Sequence, residues 1–142
     1  NWLEASLSRL AGQFAGIVRV AVPDAQTALL QGALRELTDL SVTTAASQAA
    51  GDPPAKRLLL LSLVGHDRIG IVREVSQILA RHVVNVEKLT TRIASAPMSA
   101  ETLFHAEAEL LAAPELDARA LKHELENLSD DLMVDISVIE NI

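Results

Sequence analysis

The sequence predicts an α+β fold: one complete β-α-β-β-α-β unit, preceded by a partial copy of the same pattern. Three observations carry this expectation. The chain has 142 residues, 49% hydrophobic and 22% charged, an ordinary globular balance with room for two small cores. A small, polar stretch with two prolines, residues 47–55, interrupts the apolar patterning. The spacings of leucines and helix stops on its two sides match one another. Residues 1–46 therefore form a first, partial domain, 47–56 a linker, and 57–142 a complete domain.

In the first copy, residues 2–10 and 14–22 read as strands, 25–37 as a helix and 40–45 as a strand. In the second, 57–65 reads as a strand with four consecutive leucines, Leu58 to Leu61. Apolar groups on both of its faces place it in the middle of a sheet covered on both sides. Residues 70–82 form a helix with Ile71, Val72, Val75, Ile78 and Leu79 on one stripe. The segment 84–95 is β-branched and extended, with Leu89, Thr91 and Ile93 facing inward. After a turn at 96–100, Phe104, Ala106, Ala108 and Leu110 alternate inward against His105, Glu107 and Glu109 outward. A helix over about 115–128 and a strand carrying Leu132, Val134, Ile136 and Val138 complete the unit. That order is the ferredoxin-like split βαβ, with helices on one face of an antiparallel sheet.

The two copies align residue by residue. Leu30, Leu34, Leu37, Thr38, Asp39, Leu40 and Val42 match Leu121, Leu125, Leu128, Ser129, Asp130, Leu132 and Val134 with one insertion. Asn1, Phe14 and Pro23 match Asn85, Phe104 and Pro114. The first copy lacks the leading strand and helix. Roughly 35 residues preceding Asn1, or a second chain, are expected to supply them.

Composition excludes several functions. Twelve basic and 19 acidic side chains give a net charge of −7, and the pI is about 5.0. Direct nucleic-acid binding needs clustered cations, and stacking needs aromatic platforms; Trp2, Phe14 and Phe104 are the only aromatics. Residues 57–142 hold 14 of the acidic groups, so the second domain is the more acidic. There is no cysteine for disulfides, thiol chemistry or zinc, and no His pair at zinc spacing. No apolar run reaches the roughly 20 residues that span a bilayer, so a cytoplasmic protein without membrane contact is expected. Neither a nucleophile elbow nor a phosphate-binding glycine loop occurs, and no catalytic residues, cofactor or metal are expected.

The most informative segment is Val64-Gly65-His66-Asp67-Arg68-Ile69-Gly70-Ile71-Val72, which joins a buried strand to an amphipathic helix. Free backbone N–H groups at a helix start attract carboxylates, and glycine permits close approach. The same residues also suit a plain turn, with Asp67 as cap. D-R-x-G-I-V at Asp67, Arg68, Gly70, Ile71 and Val72, followed by Asn85-Val86, resembles the ACT domain. With 91–99 and 132–136, the chain as a whole is similar to the two-ACT-domain family of glycine cleavage system transcriptional repressors. The family pattern has proline where Ile69 stands.

The resemblance implies tandem ferredoxin-like domains that sense a small amino acid such as glycine. It also implies indirect repression of glycine-cleavage genes through a protein partner, without catalysis. A regulatory subunit or detached regulatory domain of an amino-acid or one-carbon enzyme is the alternative. The ligand site is expected at His66, Asp67, Ile69, Gly70, Ile71 and Asn85, at a seam with a neighbouring domain. There the helix N–H groups and His66 would hold the carboxylate, and Asn85 would read the ammonium. Arg68 is expected to face solvent, and a side chain at Gly70 to block the ligand without disturbing the fold. Apolar groups on both sheet faces predict that the two halves of one chain, or two chains as a homodimer, pair sheet edges or faces to cover them.

Overall fold

The computed structural model describes residues 1–47 and 55–141. Its elements are β1 (Trp2–Leu10), β2 (Gln13–Val20), α1 (Asp24–Arg35), β3 (Arg57–His66), α2 (Ile71–Arg81), β4 (Asn85–Ser95), β5 (Thr102–Ala112), α3 (Ala118–Glu126) and β6 (Met133–Asn141). They fall into two compact units, Asn1–Ala49 and Ala50–Ile142. Most of the expected linker lies outside the described residues.

In the second unit the sheet order is β4-β5-β3-β6, with every neighbouring pair antiparallel. This is the β-α-β-β-α-β arrangement expected, with the leucine-rich strand β3 in the interior of the sheet. Register explains the core. Leu59, Leu61 and Leu63 stand opposite Leu110, Ala108 and Ala106 on one side and Val138, Ile136 and Val134 on the other. All of these side chains therefore share one face. Helix α2 lays Ile71, Ile78 and Leu79 on that face, and α3 adds Leu121 and Leu125. Leu59, Leu110, Leu121 and Leu125 are wholly buried. Burial of each such leucine contributes about 1.5–3 kcal/mol.

Polar contacts fix the ends of these elements. The Asp117 carboxylate accepts from the N–H groups of Arg119 and Ala120 at 3.0 and 3.1 Å and starts α3. The Arg57 guanidinium donates to the carbonyls of Pro114 and Leu116, each at 3.1 Å, and ties the start of β3 to the β5–α3 connection. Between the helices, Glu124 accepts from Arg81 and from His82 Nε2, the latter at 2.6 Å. His82, at the C-terminal end of α2, thus bridges α2 to α3.

Two expectations for this unit need correction. Leu89 and Ile93 lie on the helix side, opposite Ala108 and Phe104, yet they are 51% and 60% exposed. Their strand is the sheet edge, and the helices pack over the strands beside it. Leu60, on the far face of β3, remains 38% exposed, so this unit by itself covers one face of its sheet and not both.

The first unit differs in kind. β1 and β2 pair through Ala11 and Gly12, both at positive φ (49° and 80°), the turn geometry that matches strand twist in a tight hairpin. Every residue of the hairpin is exposed, and α1 buries none of its residues. Residues 40–45, expected as a strand, pair with no strand among the described residues. In the second unit the last strand, β6, pairs with β3 alone, and among the described residues the first unit holds only β1 and β2.

Candidate functional site

Strand β3 ends at Gly65 and His66, and the chain turns through Asp67, Arg68 and Ile69 into α2. Close packing makes Gly65 necessary. A β-carbon there would lie 2.6 Å from Leu132 Cδ1, so its absence lets the α3–β6 connection press against β3. Gly70 caps α2 with φ +93°, the left-handed region that favours glycine. Ile71 follows at 4% exposure and anchors the helix start in the core, whereas Ile69 projects fully into solvent. The backbone N–H of Asp67 donates to the Thr102 carbonyl at 2.9 Å, which fixes the turn against the start of β5.

Charged side chains surround this turn. Arg68 donates to both Glu74 oxygens, Nη1 to Oε1 at 3.1 Å and Nη2 to Oε2 at 2.5 Å. Its side chain is 34% exposed, so it folds over the first turn of α2 and does not face solvent as expected. The pair holds the Glu74 carboxyl below its usual range and raises the guanidinium. Two further carboxylates arrive from other connections. Glu101 Oε2 lies 2.9 Å from His66 Nε2, and Asp131 Oδ2 lies 2.7 Å from His66 Nδ1. Asp131 also accepts from the His66 backbone N–H at 2.7 Å and from the Ser129 hydroxyl.

These contacts set the titration. Hydrogen bonds from Ser129 and from the His66 backbone N–H hold the Asp131 carboxyl far below the carboxylate range. Its stabilisation is present above 3.8, the ordinary value, and is lost as pH falls through the depressed one. His66 is raised by its hydrogen bonds to Glu101 and then Asp131.

His66, Asp67, Ile69, Gly70 and Ile71 thus stand together at one end of the sheet, but with altered roles. His66, expected to donate to a ligand carboxylate, gives both ring nitrogens to the chain's own acids. Asn85 stands apart. It pairs with Leu111, beside Leu58, while Gly65 aligns through Phe104 with Ile93. Seven residues of β3, about 23 Å, separate the two levels. Arg68, Glu101 and Asp131 are the additions that the structure makes to the site. Only Arg68 carried a local signal, within the D-R-x-G motif; the two acids meet the turn through topology.

A shallow groove runs along the helix side of the sheet, lined by Leu63, Val72, Val75, Leu79, Leu89 and Phe104 among others. Ser76 and Thr91 are its polar lining residues, and it has no charged one. A zwitterion entering it would lose water and find no partner for either charge. The charged turn remains the candidate. Among the described residues no cluster of His, Asp and Glu is arranged to hold a metal ion, and no helix is long and apolar enough to cross a membrane.

No protein-family model and no curated protein matches the sequence. Solved structures do. A protein assigned as a glycine cleavage system transcriptional repressor superposes over 99% of this chain and 82% of its own, with TM-score 0.71 and 14% identity. The chain has that protein's fold. An unknown protein from Galdieria sulphuraria matches over the same shares with TM-score 0.78 and 26% identity. The ACT domain of a GTP pyrophosphokinase from Chlorobium tepidum covers 58% of this chain and 99% of that domain, at TM-score 0.45 and 13% identity. Whole-chain likeness to that protein gives the fold, and the strand order of the second unit is the ferredoxin-like one expected.

The structure also changes what a substitution at Gly70 tests. A β-carbon there would meet open space, 3.9 Å from Glu74 Oε1, but the left-handed backbone strains any β-branched residue. Gly70→Val is expected to lower unfolding free energy in urea by about 1–3 kcal/mol, and Gly70→Asn by less, since asparagine tolerates this conformation. Ligand effects of Gly70→Val are therefore interpretable only at matched folded fraction.

Proposed function

We propose that the chain is a regulatory protein that senses a small amino acid and represses the glycine cleavage system through a protein partner, without catalysing a reaction. The observation that carries this reading is the whole-chain likeness to the repressor, over 99% of the chain. The acidic charge supports an indirect route, since a net charge of −7 opposes operator DNA. Purified protein that bound operator DNA alone, with a steep salt dependence, would overturn that part. A pull-down that returned a metabolic enzyme in place of a transcription factor would favour an enzyme's regulatory subunit.

The ligand site of this reading is the turn ahead of α2. A ligand carboxylate would take the α2 N–H groups near Gly70 and Ile71 and compete with Glu74 for Arg68. Asp67 would meet the ammonium. Because Asn85 lies about 23 Å along the sheet from the turn, it would reach the same ligand only from a second copy. This geometry favours a homodimer with sites at its seam. In calorimetry with glycine and serine, Arg68→Ala is expected to weaken binding about tenfold or more, the loss of a charged hydrogen bond. Asn85→Ala should weaken it by about 1–3 kcal/mol. Absence of binding by the parent protein would remove the sensor reading. Unchanged affinity in both variants would move the site elsewhere.

A further inference from the structure

The ring of His66 joins three separate connections at one end of the second unit's sheet. It belongs to the β3–α2 turn, its Nε2 meets Glu101 at the end of the β4–β5 connection, and its Nδ1 meets Asp131 in the α3–β6 connection. The two arms are unequal. Asp131 keeps the backbone N–H of His66 and the Ser129 hydroxyl whatever the charge on the ring. Besides the ring, the Glu101 carboxylate has one long contact, from the Ser99 hydroxyl at 3.4 Å, while its backbone carbonyl accepts from the Ala96 N–H at 2.9 Å within the same connection.

Imidazolium donates from both nitrogens and satisfies both carboxylates. Neutral imidazole carries one N–H and one lone pair. The better-anchored Asp131 fixes the remaining proton on Nδ1, which turns the Nε2 lone pair toward a carboxylate oxygen 2.9 Å away. Two acceptors at that separation repel. The geometry points to His66 as a protonation-controlled latch: charged, it ties residues 96–101 to the β3–α2 turn; neutral, it keeps Asp131 and releases Glu101.

The charged groups around the ring fit this role. Glu101 and Asp131 face it from the two other connections, and Asp67 and Arg68 follow it in its own turn. Arg68 is engaged with Glu74. Arg92 and His105 face one another on neighbouring strands, with His105 level with Val64, two residues before His66. Both acids raise the ring above its ordinary 6.5, so the tie is complete below that value and is lost as pH rises through the raised one. The latch rests on these contacts and holds whether or not the turn binds an amino acid.

Nuclear magnetic resonance on the full chain tests it. In the parent, the His66 ring should titrate above 6.5 and settle as the Nδ1–H tautomer. Amides of Ala96 and of residues 98–101 should shift with the same midpoint and exchange faster with solvent above it. Glu101→Gln should bring the ring midpoint down and abolish the coupled amide shifts, while the Asp131 arm and the dispersed spectrum stay intact. His66→Gln should give amides at 96–101 that no longer respond over this range. A parent midpoint at or below 6.5, an Nε2–H tautomer, or amides that titrate unchanged in Glu101→Gln would each overturn the latch. If His66→Gln proved unfolded, the Glu101→Gln comparison would decide alone.

Discussion

Cut between its two units, the chain is expected to give one protein that folds and one that does not. Residues 55–142 carry every side chain of the buried core, from Leu59 to Val134, together with the contacts that join α2 to α3. That fragment should melt cooperatively by circular dichroism. Residues 1–47 hold a single hairpin and a helix with no buried residue. A lone two-stranded hairpin is marginal in water, and a helix of 12 residues gains stability mainly by packing a face. The fragment should show no cooperative transition and low helicity. A sharp melt for residues 1–47 alone would mean that this unit builds a core the present arrangement lacks.

The second large effect lies within the core. Leu121 is wholly buried on the inner face of α3. Leu121→Ala removes three carbon atoms from a filled interior, and its neighbours can close the space only in part. A loss of about 2–5 kcal/mol is expected, read as a lower urea midpoint at unchanged slope. Lys122→Ala, one residue along on a half-exposed position, should change stability by no more than about 0.5 kcal/mol. If the two variants melted alike, α3 would not pack as described.

Much of the second unit was legible because its period-2 and helical patterns do not conflict. Leu59, Leu61 and Leu63 alternate with Leu58 and Leu60, and the outward β5 residues His105, Glu107 and Glu109 mark the face without ambiguity. What remained hidden depends on neighbours rather than on pattern. Leu89 and Ile93 have the right periodicity, yet whether a side chain at a sheet edge is covered depends on where the helices end. Residues 40–45 are as strand-like as those of β6, but a strand needs a partner, and sequence does not show whether one is present. The site divides in the same way. The Gly70 turn could be read from strand–glycine–helix spacing, and the D-R-x-G motif marked Arg68. Glu101 and Asp131 come from connections 30 or more residues downstream, with no local mark of their meeting at His66. Asn85 belongs to the same motif in sequence, but the direction of β4 carries it to the opposite end of the sheet.

The placement of Trp2 governs how this protein can be watched. The chain has one tryptophan and no tyrosine, so nearly all of its intrinsic fluorescence and near-ultraviolet absorbance comes from a single indole. That indole sits on β1 in the first unit and is 65% exposed. Emission therefore reports on the surroundings of the hairpin. Far-ultraviolet dichroism, by contrast, is dominated by the second unit's two helices and four strands. Recorded on one sample, emission follows the hairpin that carries Trp2, while dichroism follows mainly the helices and strands of the second unit.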